Sequence, residues 1–233
     1  MAFMIDVAGN YRTILTHINE AAAKVGRDTR EIKLLAAAKS QSVDAIQAAI
    51  FAGVTLIGEN YVQEARAKKK RVPQPVEWHM IGHLQRNKAK TAVDLFDVIE
   101  TLDSPAVARE LDKEGARCGK TVRTLVEINL AGEESKSGIA KNQVKNLLEE
   151  SGKLAHIAIE GLMTLPPFRE NPEEVRRYFH ELRELRAELA ELRVPNADLK
   201  ELSMGMTHDY RVAIEEGATI VRIGTALFGP RSS

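Results

Sequence analysis

At 233 residues the chain exceeds a small domain but suits a single α/β barrel, so one large core over 1–233 is expected. Its 33 Lys and Arg balance 33 Asp and Glu, which excludes a surface-wide field for nucleic acid or an anionic membrane. The sole cysteine, Cys118, excludes an internal disulfide and a thiolate metal site, and a reducing, cytoplasmic setting fits.

The first ten residues contain Asp6 and lack both the basic opening and the apolar run of a targeting signal. No stretch approaches the roughly eighteen apolar residues of a membrane span. An amphipathic helix is predicted over 6–25. Eight short apolar runs follow, at 33–39, 55–60, 77–82, 97–101, 123–130, 156–165, 199–204 and 219–225. Between them lie helix-period stretches at 43–52, 62–70, 105–117, 143–152 and 173–193. Strand then helix, repeated, implies parallel strands with right-handed crossovers. Eight units close a (β/α)8 barrel, whereas an open doubly wound sheet would usually show a G-x-G-x-x-G after its first strand, and none is present. Helix starts agree: Ser42 precedes Val43, Ser104 precedes Pro105, and Asn171-Pro172-Glu173-Glu174 joins a cap to first-turn acids. The basic run Lys68-Lys69-Lys70-Arg71 reads as a solvated helix terminus, and 173–193 as an outer helix with the stripe Phe179, Leu182, Leu185 and Leu189.

The residues that carry chemistry follow from the barrel. Lys39 closes the apolar run Leu34, Leu35, Ala36, Ala37 and Ala38, and it reads either as a strand-end lysine with its stem on the core or as an amine for a Schiff base. In this fold the working face lies at the C-terminal strand ends, with phosphate commonly bound after strands seven and eight. There stand Ser203-Met204-Gly205-Met206-Thr207 and Arg222-Ile223-Gly224-Thr225, each a glycine beside a hydroxyl, and each also readable as an ordinary strand-to-helix turn. Gly58-Glu59-Asn60 and Glu127-Ile128-Asn129 add polar groups to other strand ends, where Glu59 and Glu127 read as lining. His79 and His83 stand four apart, but in a strand and loop that spacing does not make a ligand pair, so no metal site is expected. Lysine and phosphate turns alone would also suit a Schiff-base aldolase acting on a sugar phosphate.

Together, Ala36-Ala37-Ala38-Lys39, Gly58-Glu59-Asn60-Tyr61-Val62-Gln63-Glu64, Trp78-His79-Met80-Ile81-Gly82 with Leu84-Gln85-Arg86-Asn87-Lys88, Glu127-Ile128-Asn129, Ser135-Lys136-Ser137-Gly138, Gly161-Leu162-Met163, Ser203-Met204-Gly205-Met206 and Val221-Arg222-Ile223-Gly224-Thr225 resemble the pyridoxal phosphate homeostasis protein family. The resemblance implies a single TIM barrel with an extra N-terminal helix, fold type III, similar to the N-terminal barrel of alanine racemase. It implies pyridoxal 5'-phosphate (PLP) as cofactor, held as a Schiff base on Lys39. Ser203, Gly205, Gly224 and Thr225 match the phosphate cup, Arg222 the arginine facing the pyridine nitrogen, and Asn60 a pocket-lining residue, with Met206 beside the cup. Lys136 matches a second lysine near the site. Ser40-Gln41-Ser42, His83 and Thr207-His208-Asp209 depart from the family's usual residues.

The function so implied is a cytoplasmic, monomeric PLP binder that takes part in PLP homeostasis without catalytic turnover. Its partners would be PLP and PLP-requiring apo-enzymes, with no nucleic acid or membrane. The alternative is a PLP-dependent, racemase-like enzyme acting on amino acids. Against it, the racemases add a second domain and a partner subunit, and this chain ends eight residues after Thr225.

Overall fold

The computed structural model describes residues 5–133 and 136–230. Eight strands close into a parallel barrel: β1 (Lys33–Ala37), β2 (Leu56–Glu59), β3 (Glu77–Met80), β4 (Val98–Leu102), β5 (Val122–Asn129), β7 (Ile157–Thr164), β8 (Ala197–Met206) and β9 (Ile220–Ile223). β9 pairs with β1 in the register Leu35 with Arg222, and β4 with β5 in the register Val98 with Arg123, so the ring has no open edge. The two-residue β6 (Ile139–Ala140) adds alongside the end of β5. The eight apolar runs of the sequence are the eight barrel strands; β6 is too short to leave a periodic signal.

The first helix, α1 (Val7–Lys24), is started by Asp6, whose carboxylate accepts from Gly9 N at 2.8 Å. Its stripe Ile14, Ile18, Ala21 and Ala22 is buried and packs on α2 (Val43–Ala52), α8 (Tyr210–Glu215) and α9 (Thr225–Phe228). α1 thus covers the seam where the last unit meets the first. α3 (Val62–Lys69), α4 (Ala89–Leu95), α5 (Pro105–Cys118), α6 (Val144–Ser151) and α7 (Arg176–Ala190) continue the outer ring. Ser42 and Ser104 cap α2 and α5, and both helices stop at left-handed glycines, Gly53 and Gly119.

Two expectations need correction. The helix predicted over 173–193 opens instead as a 3-10 turn, Pro172–Val175, before α7 begins, because Asn171 caps the turn and Pro172 supplies no N–H. Its stripe Phe179, Leu182, Leu185 and Leu189 is buried as expected. The second correction concerns Lys68, which is not solvated. Its ammonium is buried against Glu59 at 2.6 Å, Glu64 at 2.9 Å and the Ala38 carbonyl at 2.8 Å. Cys118 is exposed at the end of α5, its Sγ 3.4 Å from Asp94.

Two cores result. The larger lies between the barrel and its helices. The smaller fills the barrel with Leu35, Leu56, Ile81, Val98, Leu125, Met163 and Ile220. Polar side chains thread this inner core from end to end. At the N-terminal end Lys33 pairs with Glu201 at 2.6 Å, and Arg123 bridges Glu77 at 2.5 Å and Glu160 at 2.8 Å. No helix among the described residues is long and apolar enough to cross a membrane.

Candidate cofactor site

Lys39 lies just past β1, in a turn whose backbone is held on both sides. Ala38 N donates to the Gly58 carbonyl at 2.8 Å, Lys68 donates to the Ala38 carbonyl, and Ser40 N, at φ 62°, donates to Glu64 at 3.0 Å. The Lys39 side chain is half-buried, its Nζ 5.2 Å from the centroid of the Tyr61 ring. It faces a pocket of about 490 Å³ at the C-terminal mouth of the barrel, shared with Asn60, Met206, Arg222, Gly224 and Thr225.

Arg222 rises from β9 inside the barrel and is 3% exposed. Its Nη1 donates to Ser203 Oγ at 2.6 Å and its Nη2 to the Thr164 carbonyl at 2.8 Å, which leaves guanidinium protons to spare. Ser203 donates in turn to Glu100, and Glu100 accepts from His79 Nδ1 at 2.6 Å. His79 Nε2 stands 3.5 Å from Glu77, which Arg123 and then Glu160 follow. With Ser203 as the neutral link, Arg222, Glu100, His79, Glu77, Arg123 and Glu160 alternate in sign from the pocket to the far end of the barrel.

Burial alone would raise the Glu100 carboxyl and depress the His79 imidazole, but each overcomes it in the other. Glu100 is held below the usual carboxylate range by His79, Arg222 and Ser203, while Glu100 and Glu77 push His79 up to about 9. His79 is therefore an imidazolium at neutral pH. His79 and, with it, Arg123 hold Glu77 down at about 2. His83 lies apart from His79, exposed and 3.2 Å from Asp103.

At the other side of the pocket, β8 and β9 run into short turns. The first amides of α9 have no intrahelical acceptor, and that of Ala226 is taken by Thr207 Oγ1 at 3.2 Å. Asp209 holds the preceding turn by accepting from Met206 N at 2.6 Å.

The structure brings six of the eight residues expected from sequence to one pocket: Lys39, Asn60, Met206, Arg222, Gly224 and Thr225. It does not place Ser203 and Gly205 there. Ser203 is fully buried and its hydroxyl is spent between Glu100 and Arg222, so it orients the arginine and does not face the cup. Gly205 serves packing: its φ is +88°, and an added Cβ would stand 2.5 Å from Ala213 Cβ and 2.9 Å from Tyr210 Cα. Lys136 lies in an adjoining cleft, paired with Glu133 at 2.9 Å, and Ser135 is outside the described residues. Gln41, Thr207 and His208 also line the pocket; the sequence marks them within a turn motif or as departures from the family's usual residues without giving them a cofactor-binding role, and it does not mark Glu100 at all. Glu100 left a signal nonetheless, an acid in the apolar run Val98-Ile99-Glu100 with the inward parity of Val98.

A closed parallel barrel whose first strand leads into a lysine, and whose last carries a buried arginine into the same pocket, defines a barrel of the alanine racemase class. The family model "Alanine racemase, N-terminal domain" matches residues 10–232. An alanine racemase of Clostridium difficile shares the fold, with a TM-score of 0.75 at 16% identity, over 97% of this chain and 58% of that one. Much nearer is the pyridoxal phosphate homeostasis protein of Aquifex aeolicus, 44% identical over 94% of this chain and 95% of its own length. The solved structure of PipY from Synechococcus elongatus with PLP bound has a TM-score of 0.81 at 35% identity, over 91% of this chain and 100% of that one. The chain belongs to the pyridoxal phosphate homeostasis protein family.

Proposed function

We propose that the chain binds PLP as a Schiff base on Lys39 and takes part in PLP homeostasis without catalytic turnover. The observation that carries this reading is one pocket holding both a primary amine and a buried guanidinium with protons to spare. The residues fit the cofactor. Lys39 supplies the amine that condenses with the aldehyde, releasing water. Arg222 donates to the pyridine nitrogen, and the Gly224 and Thr225 amides with the Thr225 and Thr207 hydroxyls receive the phosphate.

When bound, PLP supplies an electron sink whose strength depends on protonation of its ring nitrogen. A guanidinium does not give up a proton at physiological pH; burial pulls the pKa of Arg222 below its ordinary value, with Glu100, Asp209 and Glu127 opposing the fall, and Glu100 and Ser203 hold the group in place. The ring is left a weak sink, which disfavours carbanion chemistry. Asn60 and Met206 wall the pocket, and Tyr61 lies over the Lys39 ammonium.

Borohydride reduction of the yellow purified protein should fix a pyridoxyl adduct on Lys39, and Lys39→Ala should lose both colour and adduct. An adduct persisting elsewhere would refute the assignment. Solvent deuterium entering the α-position of amino acids well above the rate with free PLP would overturn the absence of turnover.

A further inference from the structure

A second cleft of about 480 Å³ adjoins the cofactor pocket, the two sharing Leu165, Phe168, Met206 and His208 as walls. Besides the shared His208, its polar lining is Glu127, Lys136, Ser137 and Asp209. Glu127 stands on the inward face of β5, only 2% exposed, and its Oε2 has no hydrogen-bond partner among the described residues. A buried carboxylate oxygen without a donor is costly, and the cost is recovered by whatever brings a proton donor there. Asp209 offers no equivalent, since its carboxylate already accepts from Met206 N.

We propose that this cleft is a subsite for a small amino acid, with Glu127 receiving its ammonium group. A cationic donor complements the orphan carboxylate. Lys136, which spends one contact on Glu133 at 2.9 Å, has protons left for the ligand's carboxylate, and Leu165, Pro166 and Phe168 present an apolar wall to its side chain. The proposal deepens the cofactor reading above and rests on it only for why an amine is received beside Lys39.

Proton chemistry agrees with that placement. Burial pushes Glu127 up to about 7, with Asp103 adding to the rise and Ser137, Arg222 and His83 opposing it. The carboxyl is therefore poised between its two forms at neutral pH, and a bound ammonium draws it to the charged form, pairing the carboxylate with a cation.

The test uses the full chain stripped of cofactor, so that it is independent of Schiff-base formation. Carbon-13 NMR of the glutamate carboxyls, with Glu127 identified by its loss in Glu127→Gln, follows titration with L-alanine and, separately, with propionate and inorganic phosphate. L-alanine should shift the Glu127 signal and lower its titration midpoint from near 7, whereas propionate and phosphate should not. Glu127→Gln should weaken L-alanine binding on the order of tenfold. An unmoved Glu127 signal in the wild-type protein overturns the proposal, as does equal binding of propionate, which would make the cleft an anion site. Should Glu127→Gln fold poorly, loss of the same glutamate signal in Glu127→Asp supplies the assignment, and the wild-type titration then decides the matter. Failure of the cofactor reading is seen separately, as a missing adduct on Lys39.

Discussion

Glu100 is fully buried, and three groups share its charge: His79 on one oxygen, Ser203 and the Arg222 guanidinium on the other. Removing that charge leaves His79 and Arg222 without their common partner inside the barrel. Glu100→Gln is therefore expected to cost about 3–5 kcal/mol in denaturant unfolding. It should also move the nitrogen-15 titration midpoint of His79 down from near 9, because the group that outweighs desolvation is gone. A His79 midpoint unchanged in Glu100→Gln would show that Glu77 alone sustains the imidazolium. At this scale the sequence was most readable where chemistry is local. Lys39, Arg222, Gly224 and Thr225 stand in short motifs at strand ends, and strand ends converge in a barrel. Ser203 and Gly205 stand in an equally clear motif. Alternation along β8 turned Ser203 to the interior, and the close approach of α8 claimed Gly205, neither of which neighbouring residues reveal.

The element that presents Lys39 is the β1 end with its turn, and it is braced from outside the barrel by α3. Lys68 reaches from α3 to the Ala38 carbonyl, Glu59 at the end of β2, and Glu64 one turn back on its own helix. Lys68→Met keeps the buried stem but leaves Glu59, which is 0% exposed, without its counter-charge. A loss of about 3–5 kcal/mol is expected, and Glu59→Leu added to it should recover much of that loss, since the unpaired charge and not the missing cation is what costs. Urea unfolding of the two single variants and the double variant checks this; an additive double variant would contradict it. The pair also shows why the basic run at 68–71 misleads in sequence. Four adjacent cations look alike, yet only Lys68 falls on the helix face toward the barrel. Eight strands and six of the helices were legible because they are long enough to show a period. β6, α4, α8 and α9, of two to seven residues, are not, and they take shape from the barrel they pack on.

For the molecule as a whole, the interior charges set how stability depends on pH. His79 has a folded value of about 9 against an ordinary 6.5, so its contribution is fully present below 6.5 and is lost as pH rises through 9. Glu77 is the reverse: held at about 2 against 4.5, it contributes above 4.5 and loses that contribution as pH falls toward 2. Glu127, raised to about 7, favours the folded state only while protonated, so its cost to folding grows as pH climbs from 4.5 to 7 and then stays constant. The three agree on a maximum near pH 5 and a decline on the alkaline side, to which His79 contributes up to about 3 kcal/mol between pH 6.5 and 9. Urea midpoints for the cofactor-free protein across pH 4 to 9.5 should trace that curve. Glu127→Gln should flatten its section between 4.5 and 7, and His79→Gln its section above 6.5, whatever either variant does to absolute stability. If the alkaline decline persists undiminished in His79→Gln, the polar column through the barrel is not its source. The same column ends at Arg222, so the His79 charge lost at high pH is one that neutralises Glu100, the carboxylate which, with Ser203, holds the guanidinium toward the cofactor pocket.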